Sequence, residues 1–164
     1  MTKDDLLTMM LSPKACAEAR AWVSAQDGDA LAIALRCARI DWLIWLLGRH
    51  DPSAIPGFAD RCAARASDES NAYAYKYGAY ARTHAKLSRT SADVAGPTSY
   101  DAENAADYAA TAARYCVYAA GGDHEDTRVA VGDEDFALLP VLAERTAQLQ
   151  DLHTIATAFF TRTP

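Results

Sequence analysis

The stretch ARIDWLIWLLGRHD, residues 38–51, is the most apolar in the chain, and its centre sets Trp42, Leu43, Ile44, Trp45, Leu46 and Leu47 side by side between Asp41 and Arg49. A membrane span needs about 18 such residues, so this run is far too short to be one. On a helix Trp42 and Trp45 share a face at i and i+3, while Leu43, Ile44, Leu46 and Leu47 cover the other sides. A helix that is apolar all round belongs at the centre of a bundle. Asp41 stands where a helix start favours an acid and Arg49 where its end favours a base, so neither charge requires a catalytic explanation. Gly48, ahead of Arg49, His50 and Asp51-Pro52, reads as part of the stop. The stretch predicts a short core helix, in which Trp45→Ala would cost ~3–5 kcal/mol.

Outside this run alanine dominates. In DAENAADYAATAARYCVYAA, residues 101–120, nine of the twenty positions are Ala. Alanine loses no side-chain entropy in a helix, so the chain leans helical. Strand-like alternation is confined to Arg128-Val-Ala-Val131. With 164 residues, 51% of them hydrophobic, the chain can build one core and is short for two domains. These observations predict an all-α fold: a single compact bundle of about six to eight helices spanning residues 1–164.

Boundary signals place the helices. Thr2 with Asp5 caps a short first helix. Ser12-Pro13 opens a second, KACAEARAWVSAQ, that ends near Asp27-Gly28, and Asp29 caps a third, ALAIALRCAR. The Trp-rich run begins its own helix or continues the third after a bend. Pro56-Gly57 opens a helix from Phe58 to about Ser67. Ser70 to about Leu87 reads as a long helix that tolerates one glycine at Gly78. SADVAGPTS is the clearest loop. Ser99 caps a helix that closes at Gly121-Gly122, DHEDTRVAVGDED is a polar acidic loop, and a last helix covers Phe136 to about Phe160 with Pro140 in its first turn.

The formal charge of −6 is uneven, with residues 1–99 carrying a net +1 and residues 100–164 a net −7. An acidic C-terminal third repels nucleic acid and favours basic partners. The N-terminus, MTKDDLLTMML, carries acids where a secretory signal would carry bases, which points to a cytoplasmic protein. Cys16, Cys37, Cys62 and Cys116 show no paired spacing and are expected to be buried reduced thiols rather than zinc ligands. His50, His84, His124 and His153 lie in four separate segments without a catalytic motif. No glycine-rich phosphate loop is present, and the acidic loop lacks the regular oxygen spacing of a calcium site. No catalytic residue, metal or cofactor is therefore expected.

Two stripes remain. Tyr73, Tyr77, Tyr80 and His84 fall at i, i+4, i+7 and i+11 of one helix, and Asn104, Tyr108, Ala112, Tyr115 and Ala119 do the same on another. Alanine faces let two helices approach closely, and tyrosines then fill the flanks as an Ala/Tyr hairpin. Tyrosine is also enriched at interface hot spots, so Tyr73, Tyr77 and Tyr80 are candidate partner-binding residues. Asp123, Glu125, Asp126, Asp133, Glu134 and Asp135 are the other candidates, as an acidic surface that could enter a basic channel on a target and steer association.

ACAEARAWV (15–23), ALAIALRCARIDWLIWLLGR (30–49) and the downstream Ala/aromatic helices together resemble a family of immunity proteins of bacterial polymorphic-toxin systems, also met in phage and prophage genomes. The family pattern Arg-Gly-Asp-Trp-Leu-Leu-Trp-Leu corresponds to Arg39-Ile40-Asp41-Trp42-Leu43-Ile44-Trp45-Leu46. Ile40 stands in place of its glycine, and tyrosines stand for the later tryptophans. The resemblance covers roughly residues 13–120, and Asp41-Trp42 with Trp45 is its specific part. It implies a small helical, non-enzymatic protein that inhibits a macromolecular target by direct contact. The target would be a toxin or, for a phage-encoded anti-defence inhibitor such as an anti-CRISPR, a bacterial defence complex. A self-associating scaffold or homodimer, and a small-molecule binder with a pocket near the Trp helix, are the alternatives. No membrane or direct nucleic-acid contact is expected.

Overall fold

Thr2 begins the chain's first helix as its spacing requires. Its hydroxyl accepts from the Asp5 N–H at 3.1 Å while the Asp5 carboxylate accepts from the Thr2 N–H at 2.7 Å, so two orphan donors are satisfied together. The computed structural model describes residues 1–11, 16–66, 72–96, 99–120 and 138–162. Among the described residues it is an all-α bundle of eight helices: α1 (Lys3–Met9), α2 (Ala17–Ser24), α3 (Ala30–Arg36), α4 (Ile40–His50), α5 (Ile55–Arg65), α6 (Ala72–Val94), α7 (Tyr100–Ala119) and α8 (Leu138–Arg162). A single 3-10 turn, Pro52–Ala54, joins α4 to α5.

Several caps follow the sequence. Asp29 accepts from the Ala32 N–H at 2.8 Å to start α3, and Ser99 accepts from the Ala102 N–H at 3.1 Å to start α7. Pro140 sits in the first turn of α8, where its missing N–H would have no helical partner anyway. Ser12-Pro13, expected to open the second helix, lie outside the described residues. That helix also ends earlier than expected, at Ser24, because the Lys3 ammonium donates to the Ser24 and Gln26 carbonyls at 2.6 Å each. Gly28 then takes φ +107°, a turn that other residues rarely adopt.

Other boundaries differ more. The helix expected to end near Leu87 runs on to Val94, so the first four residues of SADVAGPTS, Ser91 to Val94, are helical. Its interior polar residue Ser88 is fully buried and donates to the Ala105 carbonyl of α7 at 2.8 Å, which removes its tendency to break the helix. The fifth helix begins at Ile55 rather than Phe58, with Pro56 inside its first turn.

The tryptophan run forms α4, one of the bundle's central helices. Leu43, Ile44, Leu46 and Leu47 are buried, and α4 packs against α7, α8 and α5. Two expectations need correction. Trp42 and Trp45 are only partly buried. Trp42 packs its ring 6.0 Å from that of Trp22 with the Arg39 guanidinium 4.5 Å above it, and Arg49 lies 5.8 Å over Trp45. These indoles close the edge of the core under cations instead of filling its centre. Gly48 does not stop the helix either, which continues to His50. It is a crossing point, since a Cβ there would lie 2.7 Å from the Ala106 Cβ of α7. Arg49, read as a dipole partner, reaches across to form an ion pair with Glu103 of α7, both largely buried.

Cys37, Cys62 and Cys116 are buried free thiols as expected, but Cys16, at the N-cap of α2, is exposed. No helix among the described residues is long and apolar enough to cross a membrane.

Candidate functional site

The Ala/Tyr hairpin exists. α6 and α7 run antiparallel, because Ser88 meets Ala105, His84 meets Tyr108, and Tyr77 meets Tyr118. Ala81 and Ala85 of α6 and Ala102, Ala105, Ala106, Ala109, Ala112 and Ala113 of α7 are all buried. Their small side chains permit the close approach, and the aromatic rings are displaced to the flank.

On that flank the rings form one connected cluster. Tyr77 stacks on Tyr115 with centroids 6.0 Å apart and planes inclined by 22°. Tyr80 lies 5.1 Å from Tyr115, and Tyr118 meets Tyr77 edge-on at 5.4 Å. His84 extends the row to Tyr108 at 5.9 Å and to Tyr115 at 5.4 Å. Tyr118 is buried, Tyr77 and Tyr115 are half-buried, and Tyr80 is 43% exposed. The Lys76 ammonium stands 5.6 Å from the Tyr77 ring. The result is a polar-edged aromatic face whose rings are already immobilised by one another.

His84 holds a buried Nδ1 with no hydrogen-bond partner. Burial, and secondarily the positive charge of Arg114, hold its pKa below the ordinary value, so the ring is neutral at pH 7. Of the expected partner-binding residues, Tyr77 and Tyr80 belong to this face. The side chain of Tyr73 and the whole acidic set Asp123, Glu125, Asp126, Asp133, Glu134 and Asp135 lie outside the described residues.

Away from this face the described structure brings together a second polar group that the sequence reading missed. Arg65 of α5 donates to Glu144 and Asp151 of α8, each at 2.8 Å, and Arg61 donates to Asp151 at 2.6 Å. Gln148, 1% exposed, donates to the Glu144 carboxylate at 2.8 Å and to the Ala113 carbonyl at 3.0 Å. A signal was available. Glu144, Gln148 and Asp151 fall at i, i+4 and i+7, on the side of α8 that also carries the buried Leu152, and Arg61 and Arg65 fall at i and i+4. Beside them Cys116 donates its S–H to the Cys62 carbonyl at 2.9 Å. Burial pushes the Cys62 thiol up to about 12 and also raises Cys116, so both are protonated and unreactive at neutral pH. This group ties helices together and contains no activated nucleophile.

Among the described residues no three or more His, Cys, Asp or Glu side chains are placed to hold a metal ion. No protein-family model, curated protein or solved structure matches the chain.

Proposed function

We propose that the protein is a non-enzymatic, cytoplasmic inhibitor that blocks a protein partner by direct contact, in the manner of an immunity protein, and that the tyrosine face of α6 and α7 is its contact surface. The observation that carries this reading is the connected cluster of Tyr77, Tyr80 and Tyr115, half-exposed and packed ring on ring. Rings held in this way lose little rotamer freedom on binding, and each offers a hydroxyl beside a large apolar plane. The acidic residues between Gly122 and Phe136 would add long-range attraction to a basic target, which suits either a nuclease-type toxin or a nucleic-acid-binding defence complex. A second copy of the chain is a weaker occupant, because the alanine faces that would suit a homodimer are already buried between α6 and α7.

The test is affinity capture from the native host with the wild-type chain, Tyr80→Ala, and Tyr75→Ala as control. Tyr75 is 58% exposed and outside the ring cluster, so it samples an ordinary surface tyrosine. A specific partner retained by wild type and the control but lost with Tyr80→Ala supports the reading. A partner bound equally by all three would remove the tyrosine face from it.

A further inference from the structure

We propose that the cleft where the start of α4 faces α7 and α8 binds a small organic anion through Arg114 and Arg145. The cavity holds about 770 Å³, within the range of small-molecule sites. Arg39, Arg114 and Arg145 line it together with one carboxylate, Asp41, in a chain whose net charge is −6.

Arg39 is already engaged. It grips Asp41 with two hydrogen bonds of 3.0 and 2.8 Å and lies 3.7 Å from Glu18. Arg114 and Arg145 are different: among the described residues neither forms an ion pair, and Arg114 reaches only the Ala110 carbonyl of its own helix at 3.5 Å. Two cations without an ion pair among the described residues, on separate helices, therefore border one hollow. Like charges lining one cleft repel, and an anion between them reverses the sign.

The floor of the cleft supplies the rest of a binding site. Ile40 and Ala110 are partly exposed there, over the buried Ile44, Ala113 and Val117, so an apolar or planar body can rest on them while its oxyanion meets the guanidinium forks. Guanidinium chelates carboxylate and phosphate in the same bidentate manner, so a terminal carboxylate and a phosphate ester share the chemistry. Arg114 also borders the tyrosine face, where its charge reaches His84, whereas Arg145 on α8 belongs to the cleft, so loss of binding in Arg145→Gln reports on the cleft without deciding the role of that face.

Isothermal titration of the full chain at low ionic strength tests the proposal with three probes: inorganic phosphate, adenosine monophosphate and citrate. We expect saturable one-to-one binding of adenosine monophosphate or citrate, tighter than that of inorganic phosphate. Arg114→Gln and Arg145→Gln should each weaken it at least tenfold, and the double variant should abolish it. Arg82→Gln, an exposed position away from the cleft, should leave it unchanged. Binding of adenosine monophosphate alone assigns a phosphate ester, and binding of citrate alone assigns a carboxylate. Thermal melts of the variants, with transitions at or above the wild-type temperature, show that lost binding is not lost folding. No saturable binding of any probe, or binding that survives the double variant, overturns the assignment.

Discussion

Gly48→Ala sets two physical effects of known sign against each other. In an ordinary exposed helix the change should stabilise by about 1 kcal/mol, because alanine restricts the unfolded chain and favours the helix. At Gly48 the added Cβ would lie 2.7 Å from the Ala106 Cβ, 3.4 Å from the Ala106 Cα and 3.1 Å from Ile55 Cγ1. Carbon atoms rest at about 3.5–4.0 Å, so α4 and α7 must separate by roughly 1 Å or tilt. That movement would loosen Leu47, Ile55 and Ala109, all 0% exposed. Overpacking of this kind costs about 1–3 kcal/mol, and a backbone-anchored neighbour that cannot rotate away puts Gly48 at the upper end. The expected net effect is a loss of about 2 kcal/mol, a fall of ~4–8 °C in melting temperature for a domain of this size. Gly57→Ala is the control, because its Cβ would meet only the end of the Arg61 side chain at 3.6 Å. Urea and thermal unfolding by circular dichroism should show Gly48→Ala destabilised and Gly57→Ala unchanged or stabilised. If both variants gain stability alike, the close α4–α7 crossing is refuted.

Gly78→Ala should lose at least as much, about 2 kcal/mol or more by urea unfolding, since its Cβ would overlap the Ala66 carbonyl oxygen. Trp45→Ala should cost about 2 kcal/mol rather than the ~3–5 of a fully buried aromatic, because the ring is only partly buried, and a loss above 4 in chemical denaturation would contradict that placement. Arg65→Ala should cost about 2–3 kcal/mol, leaving the buried Glu144 without its cation, while Arg65→Met with Glu144→Met should recover most of it in a double-mutant cycle. His50 is held below its ordinary pKa of 6.5, first by burial and then by Arg49, so its neutral form favours the folded state. The stability it protects is present above pH 6.5 and lost as pH falls through the depressed folded value. Denaturation at pH 7.0 and 5.5 should show a drop that shrinks in His50→Asn, and an undiminished drop would remove His50 as its source.

Local chemistry was legible, and approach distances were not. Thr2, Asp29 and Ser99 are caps because a short side chain beside a helix start answers N–H groups whose positions are fixed by the helix itself. Nothing beyond four residues away is involved, so the sequence carries the whole argument. Gly48 and Gly78 were read by the same local rules, as a stop and as a tolerated weakness. Their actual role depends on Ala106 and Ala66, residues distant or non-neighbouring in sequence, whose proximity only the packed helices create. The tryptophans failed for a related reason. Apolar periodicity says that a side is buried, but not that the smaller Leu43, Ile44, Leu46 and Leu47 take the centre while bulkier rings are left at the rim under Arg39 and Arg49.

The same limit explains why the candidate face was half visible. Tyr77, Tyr80 and His84 announce a stripe by spacing alone, but the stripe becomes a surface only when α7 contributes Tyr108 and Tyr115 in antiparallel register. Alanine faces hold that register weakly, since sliding one small-residue row along another changes little buried area. Directed polar contacts can discriminate where the alanines cannot. The Ser88 hydroxyl donates to the Ala105 carbonyl, and any arrangement that takes this acceptor away has to give the buried hydroxyl another. On the other side of α7, Gln148 reads the Ala113 carbonyl and joins it to the Arg65–Glu144 pair, fixing α8 against both α5 and α7. The ring cluster is therefore positioned by polar groups that never touch it.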